Sequence, residues 1–337
     1  MRYLVTGTAG FIGFHLARRL LREGHEVVGI DGLTTYYDVL LKQRRLAILQ
    51  EFPGFSPYEF MLEDEAAVIR VFEETKPEIV VHLAAQAGVR YSIENPRAYI
   101  NANVVGTFNV LEACRFHPVK HLVLASTSSA YGANEKTPFE ETDKSIHPIT
   151  LYAATKTSTE LMAHCYAHLF AIPTTAFRFF TVYGPWGRPD MAYYIFARKI
   201  LAGEPIEIFN NGESYRDFTY IDDLVESIVR LVAAPPAFPA DRSGEPAPAI
   251  DTLSPVAPYR MVNIGGGHPV KLMDFVEEIE TALGVTAQKV LKPLPPGDVV
   301  GTYASAELLQ HVIGYKPDTP LSVGIPAFVE WYRAHVN

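Results

Sequence analysis

The sequence has 337 residues, which suggests about two domains. Its 48% hydrophobic and 20% charged residues are typical of a folded protein and exclude a mainly disordered chain. With 29 Lys and Arg against 38 Asp and Glu, the formal net charge of −9 argues against a nucleic-acid-binding protein.

Membrane, secreted and metal-dependent classes are also disfavoured. No apolar run reaches the ~18 residues of a membrane-spanning helix, and the apolar N-terminal stretch is too short for a secretory leader. Cys114 and Cys165 make neither a disulfide framework nor a metal cluster. His164 and His168 are spaced i, i+4 but lack a third ligand. We therefore expect a cytoplasmic protein without a metal.

The first half of the chain alternates short β-branched runs with helical patterns. The runs predict strands at Tyr3–Val5, Glu26–Ile30, Tyr58–Leu62, Ile79–Leu83, His121–Ala125 and Thr174–Phe179. The stretches between them predict helices at Phe11–Arg22, Glu65–Glu74, Pro96–Phe116 and Tyr152–Phe170. This alternation predicts an α/β fold with a doubly wound (Rossmann) parallel sheet.

The second half is less regular. Its apolar periodicity predicts helices at Met191–Ala202, Ile221–Ala234, Lys271–Leu283 and Leu321–Ala334. Residues 235–258 contain seven prolines and are interpreted as an extended surface loop. Because Tyr259–Ile264 has the pattern of another strand, we interpret this loop as an insertion rather than an interdomain linker.

A glycine-rich turn follows the first predicted strand and opens the first helix. Gly7, Gly10 and Gly13 allow backbone N–H groups to approach a pyrophosphate, which the helix N-terminus also favours. Asp31 ends the second strand 18 residues after Gly13, where a carboxylate can bind a ribose 2′-OH and repels a 2′-phosphate. This arrangement predicts NAD rather than NADP. Gly265–Gly267 has no such acid and is interpreted as a structural turn.

These signals divide the chain near residue 180. We predict an NAD-binding domain at residues 1–180, to which segments near 214–234 and 259–264 return. Residues 181–337 are predicted to form mainly a smaller C-terminal α/β substrate domain, with the site in the cleft between the two.

A tyrosine and a lysine share one face at the start of a predicted helix. Tyr152 and Lys156 are one turn apart. A tyrosine has an ordinary pKa of about 10, but a nearby ammonium and the positive nicotinamide ring favour the phenolate. Tyr152 could then act as a general base. Ser126–Ser129 ends a strand at the ligand-binding edge of the sheet and could share the reacting proton.

Together these residues resemble the extended short-chain dehydrogenases/reductases that act on nucleotide sugars. The resemblance covers essentially the whole chain. One branch, the UDP-glucuronate 4-epimerases, is resembled most closely, through the motifs at His82–Ser92, Asn103–Thr107, Arg178–Ala192 and Arg216–Tyr220.

The resemblance implies a set of roles for the catalytic and cofactor residues. Tyr152 would remove the proton of the sugar 4-OH while hydride passes from C4 to NAD, and the 4-keto sugar would take the hydride back on its other face. Lys156 would bind the nicotinamide ribose and lower the pKa of Tyr152, and Thr127 would bond the 4-oxygen. Further contacts to NAD are implied for Gly7, Gly10, Phe11, Ile12, Gly13, Asp31, Leu83, Ala84, Ala85, Asn103 and Phe179.

The substrate contacts follow from the same resemblance and from the chemistry of glucuronate. Oxidation at C4 gives a β-keto acid that loses CO₂ readily, so the carboxylate must be held out of alignment with the carbonyl. Arg188 is the candidate, because a guanidinium binds a carboxylate in a bidentate fork. Thr181, Ser128 and Ser129 could assist. Arg216 is expected at the UDP moiety, Asp298 at the nucleotide end, and Arg90 either on the substrate or in a structural role.

Departures from the motifs of related enzymes narrow the choice of reaction type. Ser128 and Ser129 replace the carboxyl groups that dehydratases and decarboxylases carry, which favours plain epimerisation. Met61 stands where many relatives have an Asp that bonds the adenine, and Pro295 where galactose epimerases have an arginine for the diphosphate. The resemblance also implies a homodimer through the helices at Pro96–Phe116 and Tyr152–Phe170. The alternatives are a neutral UDP-hexose 4-epimerase, a UDP-glucuronate decarboxylase and an NAD-sensing binding protein.

Overall fold

Strands and helices alternate through the first half of the chain. The computed structural model describes residues 1–241, 248–295 and 299–336. Its first thirteen helices and strands are β1 (Arg2–Thr6), α1 (Phe11–Arg22), β2 (Glu26–Asp31), α2 (Val39–Gln50), β3 (Phe55–Glu59), α3 (Glu65–Thr75), β4 (Ile79–His82), α4 (Tyr91–Glu94), α5 (Pro96–Tyr99), α6 (Gly106–Phe116), β5 (His121–Thr127), α7 (Leu151–Phe170) and β6 (Thr174–Phe179).

The second half contributes shorter strands. Its elements are β7 (Thr181–Tyr183), α8 (Ala192–Leu201), β8 (Ile206–Ile208), β9 (Tyr215–Tyr220), α9 (Ile221–Val232), β10 (Tyr259–Ile264), β11 (Pro269–Lys271), α10 (Leu272–Leu283), β12 (Lys289–Leu291), β13 (Gly301–Thr302), α11 (Glu307–Ile313) and α12 (Leu321–His335). Within the described ranges, no helix has both the length and the apolar character needed to cross a bilayer.

The strands form one large sheet and two small ones. The large sheet has seven parallel strands in the order β10-β6-β5-β4-β1-β2-β3, as the Rossmann prediction requires. The strand order reverses between β1 and β4, and the carboxyl edge at such a switch point is where ligands bind. A four-stranded sheet (β7, β9, β11 and β13) and the pair β8–β12 supply the second half of the fold.

The core lies on both faces of the large sheet. On one face, Phe14 and Leu16 of α1 are fully buried in the same cluster as Val5 and Val123. On the other face, Leu4 and its neighbours are buried with side chains of α3, α6 and α7. Burial on both faces explains why the strands are almost continuously apolar rather than alternating.

Three differences from the predicted elements concern the large sheet and its helices. β3 begins and ends three residues before the predicted Tyr58–Leu62, because Phe55–Glu59 pair with β2 and Phe60–Leu62 leave the sheet. The helix predicted at Pro96–Phe116 is interrupted by a π-helical segment, Ile100–Val105. The helix α2 has no predicted counterpart, because its buried residues mix Leu41 and Leu49 with the cations Lys42 and Arg45 and so make no clear apolar stripe.

The described end of the proline-rich loop covers the outer edge of β10. The Thr252 hydroxyl accepts a hydrogen bond from Met261 N at 3.0 Å and donates one to the carbonyl oxygen of the same residue. Ser254 N donates to the Tyr259 carbonyl at 2.9 Å. The loop therefore satisfies backbone groups that an edge strand would otherwise leave exposed.

The two histidines spaced i, i+4 hold this loop to α7. His164 Nε2 lies 2.8 Å from Ser254 Oγ, and His168 Nδ1 lies 2.7 Å from the Val256 carbonyl oxygen. Each ring thus has a protein hydrogen-bond partner.

Candidate active site

A cavity of about 1350 Å³ lies at the carboxyl edge of the large sheet and reaches the small sheets. Its volume exceeds the roughly 300–1,000 Å³ of a typical single-ligand site, so it has room for two ligands. It is lined by the predicted residues Gly7, Gly10, Phe11, Ile12, Gly13, Asp31, Leu83, Ala84, Ala85, Arg90, Thr127, Ser128, Ser129, Tyr152, Lys156, Phe179, Thr181, Arg188 and Arg216.

One predicted cofactor residue, Asn103, does not line the cavity. Asn103 is fully buried behind the cavity wall, where its side-chain oxygen accepts from Gln86 N at 2.7 Å. Its amide nitrogen donates to the Gln86 carbonyl and the Thr155 hydroxyl at 3.1 and 3.0 Å. Its amide is thus engaged in holding Gln86, which lines the cavity, instead of facing the cavity itself. Asp298 lies outside the described residues.

The glycine loop leaves the N-terminus of α1 open towards the cavity. Gly7 has a φ of +80°, which a side chain would strain. A Cβ at Gly13 would lie 2.0 Å from the Gly7 carbonyl oxygen, so the first turn of the helix can approach the loop only without a side chain there. The exposed N–H groups of this turn form a site suited to an anion such as a pyrophosphate.

Asp31 is held at the end of β2 by backbone donors. Its Oδ2 accepts from Ala9 N at 2.9 Å and its Oδ1 from Leu33 N at 2.9 Å. The carboxylate is therefore fixed beside the glycine loop, and each oxygen keeps a lone pair for a ribose hydroxyl. The prediction of NAD over NADP depended on an acid at this position.

Tyr152 and Lys156 lie on the first turns of α7, directly behind Thr127 at the end of β5. Burial raises the pKa of Tyr152, while a hydrogen bond with Thr127 and the charge of Arg188 act in the opposite direction. Burial lowers the pKa of Lys156 to about 8, against the attraction of Glu160. The arrangement can hold and transfer one proton at the Tyr152 oxygen.

A buried ion pair behind this trio was missed from the sequence. Glu160, one turn after Lys156, accepts from Arg178 Nε at 2.9 Å and Nη2 at 2.7 Å, and from the Ser126 hydroxyl. Both charged side chains are about 5% exposed. The repeated spacing of four residues from Tyr152 through Lys156 to Glu160 was the signal that could have revealed it. The pair fixes the strand end that carries Thr127 against α7.

Arg188 lies in the cavity in a bidentate pair. Its Nε and Nη2 donate to Asp190 at 3.1 and 2.5 Å, and the Tyr36 hydroxyl donates to the same carboxylate at 3.0 Å. Asp190 and Tyr36 were not predicted, because Tyr36 comes from a loop more than 150 positions earlier in the chain. The lining hydroxyls Thr181 and Ser128 belong to the same cavity.

The two other predicted arginines line the cavity from different elements. Arg216 of β9 donates to the carbonyl oxygens of Tyr215, Val299 and Val300 at 2.8, 2.8 and 3.0 Å. The guanidinium carbon of Arg90 lies 4.8 Å from the centre of the Phe209 ring.

The unusual Met61 also lines the cavity. A Cβ at Gly32 would lie 2.1 Å from its sulfur, so Gly32 leaves space for the Met61 side chain next to Asp31. This end of the cavity is therefore more apolar than an aspartate would make it.

The second glycine cluster, Gly265–Gly267, donates hydrogen bonds to a buried carboxylate. Gly266 N and Gly267 N donate to Asp217 at 3.0 Å each, and Ala304 N donates to it at 3.1 Å. Asp217 is about 1% exposed, so these bonds replace its solvation. These contacts are those of a structural turn, which is how the sequence analysis interpreted Gly265–Gly267.

Comparison with known proteins identifies the family. Residues 3–243 match the model of the NAD dependent epimerase/dehydratase family. The chain belongs to this family. It is 59% identical to a probable UDP-glucuronate 4-epimerase of Rhizobium meliloti over 342 aligned residues, which cover 100% of both chains.

Solved structures of two epimerases have similar folds. The UDP-glucuronic acid 4-epimerase of Bacillus cereus, in complex with UDP-glucuronic acid and NAD, matches with a TM-score of 0.85 and 30% identity over 99% of each chain. The UDP-glucose 4-epimerase of Thermotoga maritima, with UDP-glucose, gives a TM-score of 0.85 and 30% identity over 100% of each chain. The fold is thus shared by enzymes with acidic and with neutral sugars.

The cofactor of this epimerase/dehydratase family is NAD, and the described residues fit it. The turn without side chains at Gly7 and Gly13 suits the pyrophosphate, and Asp31 suits a ribose without a 2′-phosphate. Lys156 lines the same cavity.

Proposed function

We propose that this protein interconverts UDP-glucuronate and UDP-galacturonate by reversible epimerisation at C4, with NAD as its cofactor. The observation that carries the proposal is the guanidinium of Arg188 in the same cavity as Tyr152, Lys156 and Thr127. The cavity thus combines a proton-transfer group with a cation suited to an acidic sugar. The 59% identity to a probable UDP-glucuronate 4-epimerase supports the same substrate.

Tyr152 is the proposed general base. When bound, NAD supplies the acceptor for the C4 hydride and returns it to the other face of the sugar. The Tyr152 phenolate would take the proton of the 4-OH and later give it back, with the Thr127 hydroxyl bonded to the same oxygen. Because burial alone raises the pKa of Tyr152, the nearby positive charges are needed to make the phenolate accessible.

Arg188 would hold the carboxylate of the sugar. Asp190 occupies its Nε–Nη2 edge, so a substrate carboxylate would meet the other edge of the guanidinium, Nη1–Nη2. The hydroxyls of Ser128, Ser129 and Thr181 could bind the remaining lone pairs without supplying a proton donor for elimination or decarboxylation. Holding the carboxylate out of alignment with the C4 carbonyl would preserve the C5–C6 bond.

The UDP end is assigned to the second half of the chain. Arg216 is proposed to face the UDP moiety, with Asp298 at the nucleotide end and Arg90 nearby. Because Pro295 cannot neutralise the diphosphate, we assign that task to cations that line this part of the cavity, Arg216 and Lys199.

A homodimer formed through α6 and α7 is proposed as the working assembly. Five apolar side chains on these helices are 37–68% exposed: Val105, just before α6, and Phe108, Phe116, Leu161 and Leu169. Separations of three and eight residues place the side chains of each helix on one face, and they produce an apolar stripe suited to a second copy. A cytoplasmic location remains a proposal, consistent with the free Cys114 and Cys165.

The deciding experiment is product analysis. The purified protein would be incubated with UDP-glucuronate without added reductant and the products followed by proton NMR. UDP-galacturonate without CO₂ or accumulated NADH is the expected result. A UDP-pentose or 4-keto product would replace the proposal with decarboxylation.

Neutral sugars provide the matched comparison. UDP-glucose and UDP-galactose would be tested under the same conditions, because the Thermotoga maritima enzyme has the same fold. Equal or faster turnover of these sugars would favour a UDP-hexose 4-epimerase. Binding of NAD without turnover of any of them would leave the NAD-sensing protein.

A further inference from the structure

A buried arginine connects the glycine loop to the segment that carries Arg188. Arg45 of α2 is 0% exposed. Its Nη1 donates to the Ala9 carbonyl at 2.8 Å and to the Tyr37 hydroxyl at 2.9 Å. Its Nη2 donates to the carbonyl oxygens of Trp186 and Gly187 at 2.5 and 3.2 Å.

The carbonyl acceptors of Arg45 lie in two segments that line the cavity. Ala9 lies inside the glycine loop, and Gly187 directly precedes Arg188. One planar guanidinium therefore fixes the distance between the nucleotide-binding turn and the backbone of Arg188. A lysine could not reproduce this, because its ammonium is a single point and cannot span two loops in a fixed plane.

Burial of the Arg45 guanidinium carries a high desolvation cost. Within the described ranges, no carboxylate lies within ion-pair distance of it, and its Nε has no hydrogen-bond partner. Carbonyl and hydroxyl oxygens alone compensate the buried charge, which is costly to desolvate. An apolar side chain would fill the space at lower cost, so geometry rather than stability explains the arginine.

Other contacts hold the same segment in place before it reaches Gly187. His15 Nε2 of α1 lies 2.9 Å from the Pro185 carbonyl oxygen. The Trp186 ring lies 5.5 Å from Phe14 and 5.3 Å from Trp331, centre to centre, and Trp186 has a φ of +60°. The segment is thus fixed to the cofactor-binding half from α1 and α2 together, and Arg45 makes the contact next to Arg188.

We propose that Arg45 is a positioning residue that sets the place of Arg188 relative to the cofactor, and thereby suppresses loss of CO₂ from the 4-keto intermediate. This inference rests on the proposed function. In the suppressed side reaction the C5–C6 bond breaks and CO₂ leaves. The electron pair moves to the C4 oxygen as an enolate, and C5 takes a proton from water. The ketone is then not reduced, so one NADH remains for each CO₂.

The test compares Arg45→Lys with Arg44→Lys. Arg44 is an exposed neighbour on the same helix that donates to the His335 carbonyl at 2.9 Å, and its variant is expected to behave as the wild type. Each protein receives UDP-glucuronate labelled at C6, and labelled CO₂, NADH and UDP-galacturonate are measured. Arg45→Lys is expected to raise CO₂ per epimerisation by about tenfold or more, since a displacement near 1 Å changes rates by up to ~10²-fold.

A second variant covers the case in which Arg45→Lys does not fold. Tyr37→Phe removes one acceptor of Arg45 and leaves the charge in place, so a smaller rise in CO₂ is expected. NAD affinity, measured by quenching of protein fluorescence, should change little in the folded variants. A general loosening of the glycine loop would lower NAD affinity in parallel with turnover.

The outcomes separate the two proposals. Wild-type protein that does not epimerise UDP-glucuronate contradicts the proposed function. Wild-type protein that epimerises it, with folded Arg45 or Tyr37 variants that release no more CO₂ than Arg44→Lys, overturns the role of Arg45 alone.

Discussion

The Tyr152 hydroxyl is the single atom on which the proposed proton transfer depends. Tyr152→Phe keeps the ring that packs near Tyr99 and loses only that oxygen. We expect NAD affinity to remain within a few-fold and turnover to fall by about 10²–10⁴-fold, the usual contribution of a positioned acid–base group. Fluorescence titration with NAD and product NMR check both parts. Unchanged turnover would exclude Tyr152 as the base.

In the proposed mechanism, Arg188 would determine the preference for an acidic sugar. Arg188→Ala should raise the KM for UDP-glucuronate and increase CO₂ release, because the carboxylate loses its bidentate partner. Arg188→Asp should weaken UDP-glucuronate binding further by repulsion and leave neutral sugars much less affected. Parallel assays with UDP-glucuronate and UDP-glucose measure the change in specificity. Wild-type behaviour of both variants towards UDP-glucuronate would remove Arg188 from this role.

Lys156 is expected to reduce stability while it supports activity. Its pKa of about 8 lies below the ordinary 10.5, so the protonated form is disfavoured in the folded protein. At neutral pH, Lys156→Met should therefore increase the free energy of unfolding by up to about 3 kcal/mol, which is measured as unfolding at a higher urea concentration. The variant should also lose turnover.

The pH dependence supplies the check on Lys156. The free energy of unfolding of the wild type should rise between pH 8 and 10.5, because there the unfolded chain binds the Lys156 proton and the folded chain does not. The advantage of Lys156→Met should shrink over the same window. An advantage that stays constant with pH would assign the effect to packing.

At the scale of elements, Glu160 and Arg178 join α7 to β6 beneath the proposed site. Removing one partner, as in Arg178→Met, should cost about 3–5 kcal/mol because an unpaired charge remains buried. The double variant Glu160→Met/Arg178→Met should recover most of that loss. Urea denaturation of the two single variants and the double variant measures the coupling. Simple additivity of the two single effects would contradict it.

Elements with a regular apolar pattern were predictable from the sequence. Segments that line the cavity or pack against its loops were predicted less accurately. The bounds of α1, β6 and β10 agree with the predicted ranges, because their buried apolar residues belong to the core on the two faces of the large sheet. Phe60–Leu62 have the composition of a strand but lie outside β3 and line the cavity. In α2 the buried Arg45 has its partners up to 142 positions away, which no local pattern records.

The site was predictable to the extent that its groups lie close in sequence or carry a motif. The glycine turn and Asp31 could be recognised from their spacing and their place after two predicted strands. The Tyr152–Lys156 pair also needed the neighbouring Ser126–Ser129 run and the family resemblance. Asp190 and Tyr36 meet only in the folded chain, and the buried position of Asn103 depends on how the π-helical segment packs. Most residues selected by motif thus line the cavity, but the motifs do not give the orientation of their side chains.

At the scale of the whole molecule, the apolar stripe on α6 and α7 predicts self-association. Leu161, 68% exposed, should contact a second copy in the proposed homodimer. Leu161→Arg is expected to shift the protein from dimer to monomer in sedimentation velocity, because an unpaired charge would be buried at the interface. Leu291→Arg, at a site 57% exposed on β12, is the control. A wild-type monomer, or a dimer unaffected by Leu161→Arg, would exclude this interface.

The two outer edges of the seven-stranded sheet have a consequence for aggregation. Pro57 interrupts the row of N–H donors along β3, and Thr252 and Ser254 occupy backbone groups of β10. A strand from another molecule would therefore meet an interrupted ladder at either edge, and we expect the native protein to resist cross-β assembly. Shortening the proline-rich loop would uncover β10 and open a route to insoluble aggregates, even though the cavity at the carboxyl edge of the sheet would be left intact.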